Sequence, residues 1–295
     1  MRRLSLITSC LAVFLAAGTA IGLEPIPADH AHGLGRGCPT AATAGDPLWT
    51  VDVGAVFLRR NSSEVFEGFD FGTRAGVDVD IRRRFNEQNH LQVRYFGIDR
   101  WSDQAPTEIF DEDEIDYTSD LHSTEINLRS RRNDWLTVLG GFRWVENYED
   151  FDWRVTDPPD EWRARRWTRN QMYGGQLGAD ILVWDRGGPF TVNTEMKAGI
   201  YSNLATGRLT HADDPPFGVD PDAFNPQRTR HTGFLGDLSL IGRYEITDNF
   251  AVRGGYQLVW IEGVAIAERQ PAEDRLDTSG SLFYHGATVG GEFRW

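Results

Sequence analysis

The chain has 295 residues, with 44 Asp and Glu against 30 Lys and Arg, a formal net charge of -14. That acidic balance argues against nucleic acid as a partner. After the first 25 or so residues no stretch is apolar enough to cross a membrane as a helix. This leaves open a barrel, whose strands need only about ten residues with every second one apolar.

The N-terminus carries Met1-Arg2-Arg3, an apolar run over 4–17 and a small-x-small site at Gly18-Thr19-Ala20, with Ala20-Ile21-Gly22 as an alternative. Residues 1–20 therefore read as a secretory signal peptide. Too little apolar sequence precedes Cys10 for a lipoprotein signal. If Cys10 leaves with the signal, Cys38 is alone and no intramolecular disulfide forms. Residues 21–47 are rich in Gly, Ala and Pro without a period, and read as a flexible N-terminal segment. His30 and His32 lie there, without a third ligand that would make them a metal site.

From Leu48 on, the period is two. Trp49, Val51, Val53, Ala55 and Phe57 share a face opposite Thr50, Asp52 and Gly54. Next, Ala75, Val77, Val79 and Ile81 oppose Arg74, Asp78, Asp80, Arg82 and Arg84. Charges at every second position suit a polar lumen and not an oily core. The same alternation sets Leu91, Val93 and Tyr95 against Gln92 and Arg94, and Thr124, Ile126 and Leu128 against Glu125, Asn127 and Arg129. It sets Leu136, Val138, Phe142 and Trp144 against Thr137 and Arg143, and Tyr173, Leu177, Ala179, Ile181 and Val183 against Asn170, Gln176 and Asp180. Further on, Val192, Met196, Ala198 and Ile200 oppose Asn193, Glu195, Lys197 and Tyr201. Phe234, Leu238, Leu240 and Tyr244 oppose Asp237, Ser239 and Arg243, and Val252, Tyr256, Leu258 and Trp260 oppose Arg253 and Gln257. In the last strand Ala287, Val289, Gly291, Phe293 and Trp295 oppose Thr288, Gly290, Glu292 and Arg294.

Connections alternate in length. Those at 85–89, 130–134, 185–189 and 245–249 are turn-like; those at roughly 60–72, 99–116, 147–166, 205–228 and 263–280 are long. Short periplasmic turns and long external loops are how outer-membrane barrels are built. The expected fold is thus all-β, an antiparallel up-and-down transmembrane β-barrel of about ten strands over 48–295. Aromatics near strand ends, among them Trp49, Trp135, Trp184, Phe190, Phe250 and Trp295, suit the headgroup zones. A soluble secreted β-sandwich is the alternative fold, though a sandwich has no reason to alternate its loop lengths.

Thr288-x-Gly290-x-x-Phe293-x-Trp295 resembles the C-terminal signal read by the barrel-assembly machinery of bacterial outer membranes. Phrases along the chain resemble the β-barrel porin family known chiefly from planctomycete genomes. They are LWTVDVGAVFL at 48–58, EIN at 125–127, LGGFRW at 139–144, NQMYGGQLGA at 170–179, GYQLVWIEGVA at 255–265 and SLFYHGA at 281–287. The resemblance implies a barrel in the bacterial outer membrane, with outer-membrane lipid as surroundings. It implies no reaction, catalytic residue or cofactor.

The lumen-facing set on this phase is Arg74, Asp78, Asp80, Arg82, Arg84, Arg94, Glu125, Arg129, Arg143, Asp180, Glu195, Lys197, Asp237, Arg243, Arg253, Glu292 and Arg294. In a barrel this narrow such charges either pair into a polar core or line a narrow porin-like channel. Acidic residues crowd two long connections, with Asp111, Glu112, Asp113, Glu114 and Asp116 in one and Asp150, Asp152, Asp157, Asp160 and Glu161 in the next. They are candidates for divalent cations, although no EF-hand spacing is present. The enzymatic alternative is an outer-membrane protease or lipid hydrolase using His211, Asp213 and Asp214 with Asp111 or Asp113 as a water-activating set. His211 is, however, soon followed by the turn-like Pro215-Pro216. Nucleophile-elbow, phosphate-loop and His/Cys metal motifs are absent. The expectation is a barrel without catalysis.

Overall fold

The computed structural model describes residues 47–61, 72–105, 113–155, 162–212, 225–270 and 275–295. Residues 1–46, which include the stretch read as a signal peptide, Cys38 and both N-terminal histidines, lie outside them, as do Asp111, Asp213 and Asp214. Ten antiparallel strands run β1 Trp49–Arg60, β2 Arg74–Arg84, β3 Asn89–Ala105, β4 Asp113–Arg131, β5 Leu136–Val155, β6 Trp162–Asp185, β7 Phe190–Ala212, β8 Gln227–Thr247, β9 Phe250–Val264 and β10 Gly280–Arg294. Each pairs with its chain neighbours, and β10 pairs with β1, so the sheet closes on itself.

Turn chemistry fixes one end. Asn86 Oδ1 accepts from the Gln88 and Asn89 amides at 3.0 and 2.8 Å, and Asn133 Oδ1 from Trp135 and Leu136 at 3.1 and 2.8 Å. Asp185 Oδ1 accepts from Gly187 N at 2.7 Å, where φ is 71° and a side chain would be strained. These side chains satisfy turn amides that the ladder cannot reach.

The other end differs from the sequence expectation. Strand runs well into three of the long connections: β3 reaches Ala105 and β4 starts at Asp113, β5 and β6 stay in register out to Val155 and Trp162, and β7 continues to Ala212. The period of two persists there, but its polarity inverts. On β5, outward Phe142 is exposed and inward Arg143 buried; further along the same strand, outward Asp150 is half-buried and inward Phe151 buried. On β1 the inward side chains change from Asp52 to Val56 and Leu58, and on β3 from Gln92 and Arg94 to Phe96 and Ile98. A bulge between Ile98 and Trp101 holds Arg100 at φ 55° and turns Trp101 inward.

The barrel therefore has two storeys. Near the turns, the outer wall exposes Val53, Ile81, Val93, Ile126, Leu128, Phe142, Leu177, Ile200, Leu240 and Val289 over a charged interior. Beyond them, a polar wall encloses an apolar core that includes Leu58, Trp101, Ile115, Tyr117, Val145, Ile261 and Tyr284. The connection after β9 also departs from the external loop expected at 263–280. Ala265, Ile266 and a 3-10 turn at Ala267–Arg269 fold into that core.

The seam is tight. Trp49 and Trp295 exchange backbone hydrogen bonds of 2.9 and 3.1 Å, extending the β1–β10 ladder to the last residue. Gly54 faces Gly290 across it, and a Cβ on Gly290 would lie 2.7 Å from Val53 O and 2.9 Å from Gly54 Cα.

Candidate functional site: a layered lumen

Along the barrel axis the lumen falls into three layers. The first is a vestibule at the turn end, a cavity of about 400 Å³ lined by Asp52, Asp80, Arg82, Arg129, Asp180, Glu195, Arg243, Arg253, Glu292 and Arg294 among others. Its charges are paired across strands. Arg82 and Arg253 both engage Asp52. Arg129 bridges Asp180 and Glu195. Glu292 accepts from Arg243 Nε at 2.9 Å and Arg294 Nε at 2.6 Å. Arg94 forks onto Asp78 at 2.9 and 3.0 Å.

The second layer crosses the barrel at mid-height. Lys197 Nζ on β7 donates to both oxygens of Glu125 on β4 at 3.0 Å. Arg143 on β5 donates to Asp237 on β8 at 3.1 Å and to Ser123 Oγ at 2.8 Å. Gln176 and Asn127 donate to Glu125 at 2.8 and 3.1 Å, and Gln257 links Arg94 to Asp237. Arg143 is 0% exposed, and Glu125 and Lys197 are 1%. Breaking such a pair leaves an uncompensated buried charge, so the members of the layer hold one another in place.

The third layer is the apolar core with its inserted segment. Asn170 Nδ2 donates to Ala265 O, and Ala265 N to Asn170 Oδ1, both at 2.8 Å. Asn203 donates to Gly263 O at 2.9 Å and to Asn170 Oδ1 at 3.0 Å. Glu149 accepts from Ala267 N at 3.0 Å and Tyr117 OH at 2.7 Å, and pairs with Arg60 at 2.9 Å. Arg166 donates to Gln270 O. Gln270 in turn donates to Asp277 O at 2.9 Å. Burial alone would raise the Asp277 carboxyl, but hydrogen bonds from Ser279 and the nearby Arg269 and Arg275 hold it below its usual range.

Of the lumen-facing set read from the sequence, Asp80, Arg94, Glu125, Arg129, Arg143, Lys197, Asp237 and Glu292 are buried inside the barrel. Asp78, Arg82, Arg84, Asp180, Glu195, Arg243, Arg253 and Arg294 are half-buried towards the turn end. Arg74 is the correction. It has the inward phase but sits exposed at the far end of β2, where it donates to Ser102 Oγ at 3.1 Å. The uncharged amides Gln92, Asn127, Gln176 and Gln257 belong to the network although a search for charges passes over them. Their polar phase was the available signal. Asn170 was on the polar phase read from the sequence, whereas Arg60, Glu149, Asn147 and Asn203 were hidden by the inverted polarity.

The acidic stretches are partly neutralised. Asp150 takes a fork from Arg165 at 3.0 and 2.6 Å, Asp152 engages Arg163 and Arg154, and Asp116 lies 3.4 Å from Arg154. Those carboxylates are engaged by guanidinium groups. Among the described residues no group of three or more His, Cys, Asp or Glu is placed to hold a metal. Glu112, Asp157, Asp160 and Glu161 lie outside the described residues, as do Asp213, Asp214 and Asp111 of the hydrolase alternative.

No protein-family model matches the chain, and no curated protein matches it. Among solved structures it is similar to the outer membrane protease OmpT from Escherichia coli, at 11% identity over 84% of this chain and 96% of that one, with a TM-score of 0.49. It is similar to the translocator domain of the autotransporter NalP from Neisseria meningitidis, at 10% identity over 86% and 90%, with a TM-score of 0.45. The attachment invasion locus protein Ail of Yersinia pestis gives 10% identity over 85% and 100%, with a TM-score of 0.35. At these identities no residue role passes from them to this chain.

Proposed function

We propose that the chain is exported, inserted by the barrel-assembly machinery and resident in a bacterial outer membrane as a barrel closed along its axis, a structural wall protein and not an enzyme. The outer belt supports residence in lipid. Leu177 and Ile200 are 74% and 69% exposed, a cost in water that hydrocarbon removes. Axial closure rests on one observation, the occluded layer of Arg143, Glu125 and Lys197 spanning β4 to β8. The vestibule then opens on the periplasm, and the polar storey with its apolar core stands outside the membrane. Ions crossing the barrel would have to part the charge layer and displace the segment at 265–270.

The vestibule favours a second reading, a narrow porin-like channel whose outer half opens under load. Planar-bilayer recording separates the two. The closed barrel gives no discrete conductance steps at ordinary potentials. Regular steps from the unmodified protein would replace it with the channel. Purified chain that stays soluble without detergent and shows no heat-modifiable gel shift would overturn the membrane reading itself.

A further inference from the structure

Immediately above the apolar belt the outer wall carries a groove of about 370 Å³, lined by Asp120, His122, Glu146, Tyr148, Trp167 and Arg169. Tyr148 and Trp167 stack in it with ring centroids 6.2 Å apart. Its acids are occupied. Both oxygens of Glu146 accept from Arg169 Nη2, at 2.9 and 2.8 Å, and Asp120 accepts from Arg100 N at 2.7 Å. Next to it, Trp167 lies opposite Arg208 in the β6–β7 register. Arg169, Thr206 and Arg228 form one row across β6, β7 and β8, and Arg230 stands opposite Leu204. Arg208, Arg228 and Arg230 are exposed, and no acidic partner faces them among the described residues. On β8, Arg230 lies four positions before the outward-facing Phe234 on the same phase, away from the turn end, so on the membrane reading it stands at headgroup depth and not in bulk water.

We propose that this surface, the stacked Tyr148/Trp167 pair flanked by Arg208, Arg228 and Arg230, binds the phosphate-bearing headgroup of an anionic lipid in the surrounding leaflet. The inference rests on the membrane reading above. Its chemistry is charge complementarity at an interface. A phosphate accepts forked hydrogen bonds from arginine, the low-dielectric belt below weakens screening, and the amphipathic ring pair packs the neighbouring headgroup atoms. Arginine suits this better than lysine because its planar donors match phosphate oxygens in pairs.

The test uses the full chain in detergent micelles doped with phosphatidic acid or with phosphatidylcholine, and native mass spectrometry to count retained lipid. The unmodified protein retains phosphatidic acid preferentially. The triple variant Arg208→Gln, Arg228→Gln, Arg230→Gln loses that preference by roughly tenfold or more, and Trp167→Ala weakens it while leaving the charge in place. Retention of the preference in the triple variant, or none in the unmodified protein, overturns the proposal. Inorganic phosphate added in millimolar amounts leaves the retained lipid in place; release of the lipid by phosphate alone would overturn the lipid as the occupant. Heat-modifiable migration is read on every sample. A protein that inserts into lipid vesicles but shows no preference fails this proposal alone, whereas one that never inserts fails the membrane reading.

Discussion

Asn170 and Ala265 meet as two strands would, the side-chain amide of one supplying both a donor and an acceptor to the backbone of the other at 2.8 Å. The segment after β9 thereby gains in the lumen the backbone partners that water would give it outside. Asn147 and Asn203 extend the ladder on either side, at 3.2 and 3.0 Å from Asn170. Asn170→Ala removes these partners at once and leaves buried polar groups unsatisfied, at about 1–3 kcal/mol for each group. The variant is expected to unfold at clearly lower denaturant concentration in detergent. Unchanged unfolding would mean that the segment is held by apolar packing alone.

Arg143 is the keystone of the charge layer, wholly buried between Asp237 and Glu125. Arg143→Ala leaves two buried carboxylates with Lys197, and Arg94 at 4.0 Å from Glu125, as the remaining cations, at a cost of about 3–5 kcal/mol. The proposed closure places two barriers in series, so this variant alone is expected to stay silent in a planar bilayer. Combined with removal of residues 265–270 it is expected to give conductance steps, provided the barrel still shows heat-modifiable migration. Steps from Arg143→Ala alone would show that the outer storey does not seal.

Closure of the sheet depends on Gly290. A side chain there meets backbone on β1 rather than a movable group. Gly290→Val is expected to lower the folded, heat-modifiable fraction severely. Gly291→Ala, whose added carbon would meet only the Phe250 and Phe293 side chains, is expected to be mild. Deleting Trp295 removes both terminal backbone bonds to Trp49 and is expected to reduce surface assembly. Equal assembly of all three would separate the terminal motif from the seam.

How far the fold was legible follows from where polarity contrast exists. Inside the belt, apolar and charged residues alternate, and the phase of every strand from Trp49–Arg60 to Gly280–Arg294 can be read from it. Above the belt the alternation remains, but Phe151 and Trp153 lie on the face that carried Arg143 lower down, between the outward acids Asp150 and Asp152. A strand whose polarity inverts part-way loses its net amphipathicity and reads as an irregular loop. Within the mixed composition of 147–166, residues 147–155 and 162–166 are in fact two paired strand ends. The amides that complete the charge layer were on the right face but carry no charge to draw notice. The segment at 265–270 offers no sequence signal at all, because its fixing depends on Asn170, about a hundred residues away in the chain.

The level of that inversion is itself testable. Ile126 and Thr118 lie on the outward phase of the same strand, the first in the apolar belt at 50% exposure and the second in the polar storey. On the membrane reading, Ile126→Arg places a charge in hydrocarbon, at about 2–4 kcal/mol near the bilayer midplane. Thr118→Arg places the same charge beside water and headgroups and is expected to cost little. The measurement is reversible unfolding from lipid vesicles, with both variants carried through the same titration. Equal costs would move the membrane boundary away from the inversion, and a larger cost at Thr118 would mean that the wrong storey had been assigned to the lipid.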